Sequence, residues 1–122
     1  MKQAIRTLMT EPWDSYEEAK RRSQVIDDLL GFRIQNCEST LERVHGRVDW
    51  AHLSEQSFQT PYPELAQITR AFAIETKLRW TELGAGYGRL GLVLSWLRPQ
   101  DHYFGFEFVA ERVREGQRIF RT

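Results

Sequence analysis

The stretch Trp80-Thr-Glu82-Leu-Gly84-Ala-Gly86-Tyr87-Gly88-Arg-Leu-Gly91 holds the residues whose types and spacing can do chemistry. An apolar run carries an acid, Glu82, near its end. Three glycines at alternate positions follow, and an apolar helical pattern then begins. Glycine reaches backbone angles closed to other residues and lets a ligand approach the main chain. A helix starting just beyond such a turn presents free N–H groups and partial positive charge. The chemistry on offer is therefore the cradling of a nucleotide-like ligand. A second acid, Glu107, follows Gly86 by 21 residues, within the range for a ribose-binding carboxylate. No nucleophile and no general base can be named, so the catalytic residues stay unknown at this stage.

Two ligand classes fit the loop. Gly86-Tyr-Gly88-Arg-Leu-Gly91 formally matches the dinucleotide pattern GxGxxG, which alone is weak evidence. The residue before the loop separates the classes. Glu82 suits a ligand carrying an ammonium and a sulfonium, and it is badly placed beside a pyrophosphate, where like charges repel. The string Glu82-x-Gly84-x-Gly86-x-Gly88 resembles motif I of the class I S-adenosylmethionine-dependent methyltransferases. Phe104-Gly-Phe-Glu107-Phe108 is similar to the second motif of that family, where an acid closes the second strand. The resemblance covers about residues 58–120. It implies that Gly84, Gly86 and Gly88 lie under the methionine and ribose; Tyr87, within the same loop, is counted with them as a cofactor-binding residue that either shapes the loop or fills space. It also implies that Glu82 orients the ammonium, Glu107 takes the ribose diol and Phe108 lies against the adenine.

Upstream, Gln59-Thr60-Pro61-Tyr62-Pro63-Glu64 is similar to segments that precede motif I in several methyltransferase groups, including the non-SET histone lysine methyltransferases. There the segment lies over the cofactor, which implies Thr60 and Tyr62 as further contacts. The segment is too short to assign a histone substrate, and the methyl acceptor is unidentified.

These residues need elements to hold them. Lys77 to Leu83 reads as a strand, Tyr87 to Leu97 as a helix with Leu90, Val93, Leu94 and Leu97 on one face, His102 to Glu107 as a second strand, and Ala110 to Phe120 as a second helix. Strand–helix–strand–helix implies parallel strands joined by a right-handed crossover. Tyr103, Phe104 and Phe106 read as core. The helix before them starts near Thr60 as cap, with Pro61 in its first position, and runs to about Ile74. Earlier, Ser15-x-x-Glu18 has capping-box spacing and Gly31 is a C-cap, giving a helix from Ser15 to Leu30. Cys37 to Val44 and a turn over 48–53, with Trp50 inward, complete a helical N-terminal region. Trp13, Trp50, Trp80 and Trp96 read as core or interface anchors.

The expected fold class is thus α/β: a partial Rossmann-like β-α-β-α unit with parallel strands, preceded by a helical N-terminal region. The expected division is a helical extension over 1–57 and a cofactor-binding half of a methyltransferase-like domain over 58–122. The family continues with further strands, so this half reads as an incomplete, truncated domain with one open sheet edge. The edge suggests a homo-oligomer.

Composition narrows the partners. The 122 residues carry 17 basic and 17 acidic side chains, so no global basic field attracts nucleic acid. The halves differ only slightly: residues 1–76 hold 9 basic and 12 acidic groups, and 77–122 hold 8 and 5. One cysteine, Cys37, excludes an internal disulfide and fits a reducing compartment. No apolar run approaches the roughly 18 residues of a membrane span, and Met-Lys-Gln-Ala-Ile-Arg lacks a signal-peptide core. The reading is a soluble cytoplasmic protein. His45 and His52 lack a third ligand at a metal spacing, so no metal is expected. The rival readings are an NAD(P)-binding oxidoreductase fragment and a non-catalytic assembly module that keeps the fold.

Overall fold

The computed structural model describes residues 1–45, 56–72 and 77–122. The expected turn over 48–53, Trp50, His52 and the end of the helix near Ile74 lie outside the described residues. Helix α1 (Lys2–Thr10) buries Ile5 and Met9, four residues apart on one face. Helix α2 (Tyr16–Leu30) is capped as its sequence demands. Ser15 accepts the Glu18 amide at 3.1 Å, Glu18 in turn accepts the Asp14 amide, and Gly31 closes the helix at φ 77°. Helix α3 (Ile34–His45) starts three residues before Cys37, earlier than its sequence suggested. Helix α4 (Tyr62–Phe72) finds a partner for an early amide outside its own segment: the Tyr62 N–H donates to Ser23 Oγ of α2 at 2.9 Å.

Strand β1 (Arg79–Leu83), helix α5 (Arg89–Leu97), strand β2 (His102–Phe106) and helix α6 (Ala110–Phe120) follow. The strands pair in parallel, from Arg79 opposite His102 to Leu83 opposite Phe106. Asp101 ties the start of this ladder together. It accepts from the Leu78 amide at 3.0 Å, Trp80 Nε1 at 2.8 Å and Arg98 Nε at 2.7 Å. The Arg98 guanidinium, with these other donors, holds the Asp101 carboxyl down at about 2.

The core is made by helices. Ile5, Met9, Ile26, Tyr62, Leu65, Ala66, Leu92, Val93 and Ile119 form one cluster, drawn from α1, α2, α4, α5 and α6. Each large side chain of this kind stabilises by roughly 1.5–3 kcal/mol when fully buried. No residue of either strand belongs to that cluster. Residues on both sides of position 57 do.

This corrects the expected fold class. Among the described residues there are six helices against two strands of five residues each. A Rossmann-like α/β unit is a layered fold in which a parallel sheet is covered on both faces. Here one face of the ladder is bare: Leu83 is 82% exposed, Phe104 66% and Phe106 59%. Phe104 and Phe106 are therefore not core either. The aromatic content of β2 points to burial of Tyr103, Phe104 and Phe106 alike, but only the Tyr103 side meets protein. The molecule is a mainly helical body carrying a two-strand ladder.

Candidate functional site

The ladder delivers Glu82 to the carboxyl end of β1, with its side chain half-buried. Its Oε2 accepts the Tyr103 hydroxyl at 2.7 Å. Tyr103 reaches it because Gly105, directly opposite Glu82, has no side chain. A Cβ at Gly105 would stand 2.8 Å from Ala85 Cβ and 2.9 Å from Tyr103 Cζ. Burial pushes the Glu82 carboxyl above its ordinary range, and the Tyr103 hydrogen bond offsets this only in part. Burial likewise raises the Tyr103 hydroxyl, with Glu82 adding to it, so Tyr103 stays a neutral donor. Among the described residues no ion pair forms at Glu82.

The loop follows at once. Gly84, Gly86 and Gly88 take φ of 74°, 57° and 84°, angles that disfavour any side chain. Their amides are largely spent inside the protein. Gly84 and Ala85 N–H both donate to Phe106 O, Gly88 N–H to Ala85 O, and Gly86 N–H to Glu107 Oε1 at 2.9 Å. Glu107 Oε2 accepts the Val109 amide at 2.8 Å. Glu107 is thus a clasp across the loop and the turn into α6. Helix α6 packs closely on the loop: a Cβ at Gly116 would stand 2.5 Å from Tyr87 O.

Two small hollows flank the loop. The first, about 100 Å³, is lined by Thr60, Glu82, Gly84, Gly86 and Arg89, with Phe58 and Leu65 as apolar walls. The second, about 130 Å³, is lined by Gly86, Tyr87, Gly88 and Glu107, with Tyr103, Val113 and Phe120 around them. Ala85 and Gly86 border both. The two carboxylates therefore share a rim and not a single hollow. A larger hollow of about 400 Å³ lies between residues 9–13 and α4, and none of the motif residues lines it.

Two expected contacts, Tyr62 and Phe108, line neither hollow, and a third, Tyr87, lines the second. Tyr62 is fully buried; its hydroxyl donates to Asp27 Oδ1 at 2.9 Å and its ring lies 4.7 Å from the Arg89 guanidinium carbon. Phe108 projects wholly into solvent. The Tyr87 ring is buried, and its hydroxyl donates to Glu38 Oε1 at 2.6 Å, where Arg112 Nε also donates at 2.8 Å. Tyr87 anchors the loop to α3 through its hydroxyl and lines the second hollow as well.

A buried polar cluster went unread in the sequence. Arg89, 4% exposed, donates through Nη2 to Asp27 Oδ2 at 2.6 Å and to Gln56 Oε1 at 2.7 Å, and through Nη1 to Thr60 O at 3.1 Å. Gln56 Nε2 donates to Asp27 Oδ2 at 2.9 Å. Signals for two of these existed. Arginine at the first position of a helix opposes the helix dipole, so it needs an acid from elsewhere. Ser23 and Asp27 continue the spacing of Ala19 along the buried side of α2, where a carboxylate requires a partner. Nothing in the sequence singles out Gln56 or Glu38.

No helix among the described residues is long and apolar enough to cross a membrane. Among the described residues no group of three His, Cys, Asp or Glu side chains is placed to hold a metal ion. Compared with known proteins, the chain matches no family model, no curated protein and no solved structure.

Proposed function

We propose that residues 82–107 bind S-adenosylmethionine, as part of a methyl transfer to an unidentified acceptor. The observation that carries this reading is the charge of the loop. Its amides at 84, 85, 86 and 88 already have acceptors in the protein, and carboxylates stand on both sides. A pyrophosphate needs free N–H groups and no adjacent acids; a sulfonium with an ammonium is served by the reverse. Glu82 would take the ammonium in the first hollow. Glu107 would take the ribose diol through the lone pairs that its two amide bonds leave open. The ligand would then lie across the Ala85–Gly86 rim. Thr60 borders the ammonium end and Tyr87 the ribose end, whereas Tyr62 and Phe108 line neither hollow and are left out of direct contact. Methyl transfer would be direct displacement at the methyl carbon, with positioning supplying much of the rate. The lone cysteine favours a reducing compartment such as the cytoplasm for this activity. The resemblance of the two motifs also supports the reading.

Titration calorimetry with S-adenosylhomocysteine against NADH tests it. Saturable heat with the first and none with the second is expected; the opposite pattern would favour the oxidoreductase.

The bare ladder face favours a second reading, a module kept for assembly, since an apolar face of this kind marks an interaction surface. It predicts no heat with either ligand and a light-scattering mass above that of one chain.

A further inference from the structure

Neither Gly91 of α5 nor Gly105 of β2 has a positive φ, so the backbone there does not call for glycine. Glycine also weakens both kinds of element. What the two positions share is Tyr103. A Cβ at Gly91 would stand 2.6 Å from Tyr103 Cε1 and 2.9 Å from Phe120 Cζ. A Cβ at Gly105 would stand 2.9 Å from Tyr103 Cζ and collide with its hydroxyl. The Tyr103 ring thus lies in a slot left by two absent side chains, and its hydroxyl reaches Glu82 Oε2 at 2.7 Å. Filling the slot needs only a ring. The hydroxyl is the part that packing does not explain. Glu82 Oε1 has no protein donor among the described residues.

We infer that Tyr103 is a positioning residue of the cofactor site: it pins Glu82 Oε2 and leaves Oε1 to receive the ammonium. The inference rests on the S-adenosylmethionine reading and adds to it a residue that acts through Glu82. A carboxylate side chain free to turn must be fixed when the ligand arrives, which weakens binding; one already fixed by the fold escapes that loss. Tyr103 suits this task because burial keeps its hydroxyl protonated, so it donates throughout the neutral range. The other elements around Glu82 supply no competitor among the described residues. In the hollow that Glu82 lines, α5 contributes Arg89, held by Asp27 and Gln56, and residues 58–60 and Leu65 contribute no charge. Glu107 lines the second hollow, and both its oxygens already accept amides.

Tyr103→Phe keeps the ring in its slot and removes only the donor. The test is calorimetry on the whole chain with S-adenosylhomocysteine, from neutral into acid pH. The variant should bind about tenfold more weakly, the scale of one hydrogen bond. The Tyr103 bond favours the ionised carboxylate, so its loss should also move the acid-side fall in affinity to higher pH. Made in Glu82→Gln, the same change should move no pH profile, because the titrating group is gone. Unchanged affinity with an unchanged profile overturns the inference and leaves the cofactor reading intact. A weaker affinity with an unmoved profile overturns it as well, for the hydroxyl then serves packing or the second hollow. A profile that still moves in Glu82→Gln assigns the effect to another group and overturns it too. Failure of the native chain to bind overturns the cofactor reading and this inference together. Should Tyr103→Phe fail to melt cooperatively, a fluorotyrosine placed at position 103 decides. Its more acidic hydroxyl should move the fall to lower pH, and an unmoved fall overturns the inference.

Discussion

Asp27 pairs with Arg89 and Glu82 lines a hollow with it, and the protein treats the two acids in opposite ways. Asp27 is 2% exposed and fully answered: Arg89, Gln56 and the Tyr62 hydroxyl all donate to it. Glu82 is half-buried, borders a hollow and, among the described residues, is answered by one neutral hydroxyl. Burying a charge is tolerable when it is paired and hydrogen-bonded. An acid that is desolvated without a cation is destabilised, and its raised carboxyl records this. The contrast separates two uses of a carboxylate: Asp27 holds α2, α4 and α5 together, and Glu82 is left for something that arrives from outside.

If that contrast is right, removing Asp27 has the largest effect. Asp27→Ala leaves the Arg89 charge buried without its counter-ion, a loss of about 3–5 kcal/mol. Urea unfolding should show a midpoint far below that of the native chain. A loss under about 1 kcal/mol, the scale of a surface pair, would place Asp27 and Glu82 in the same class and break the comparison.

Glu107 stands between the two. Its carboxylate has two protein donors, the Gly86 and Val109 amides, yet it borders the second hollow. Glu107→Ala should therefore do both things at once. It should lower the melting temperature by loosening the loop, and weaken S-adenosylhomocysteine by about one to two decades, from about 1.5–3 kcal/mol per charged hydrogen bond. An affinity loss with an unchanged melt would move Glu107 into the class of Glu82.

Glu82→Gln is the cleaner ligand test. The amide oxygen still accepts the Tyr103 hydroxyl, and the buried charge is gone, so stability should hold or rise slightly. Binding of S-adenosylhomocysteine should fall about tenfold or more, the lower end for a lost charged hydrogen bond. Unchanged affinity would remove Glu82 from the site.

The elements with strong local rules were legible: the Ser15–Glu18 box and Gly31 set α2, and the apolar spacing from Leu90 to Leu97 set α5. The glycine loop was legible as a loop because three glycines at alternate positions have few other uses. The fold class was not, because it depends on what covers a sheet, and the aromatic stretch His102–Phe106 is the same whether one face or both are buried. Helix α1 was overlooked, although Ile5, Leu8 and Met9 carry its period. Tyr62 was assigned to ligand from a motif, and its place was fixed instead by Asp27, a residue 35 positions away that no local pattern connects to it. The Tyr103–Glu82 bond depends on the missing side chain of Gly105, visible only once the strands are in register.

The smallest effect is also the sharpest test of the contrast, because it reads Glu82 in the native chain. A carboxyl raised by burial keeps its proton more readily in the folded state than in the unfolded one. Its contribution to stability is complete below the unfolded value and disappears as pH rises through the folded value. Binding of an ammonium needs the ionised form and runs the other way. Affinity for S-adenosylhomocysteine should be flat above the raised value and fall as pH drops through it, approaching about tenfold per pH unit below it. This window lies above the ordinary glutamate range, whereas the contribution of Asp101, whose carboxyl is held down at about 2, is lost as pH falls from the ordinary aspartate value through the folded one. In Glu82→Gln the fall within that window should vanish while any weak residual binding persists. The same fall in native chain and variant would mean that another group carries it, and that Glu82, like Asp27, serves the fold alone.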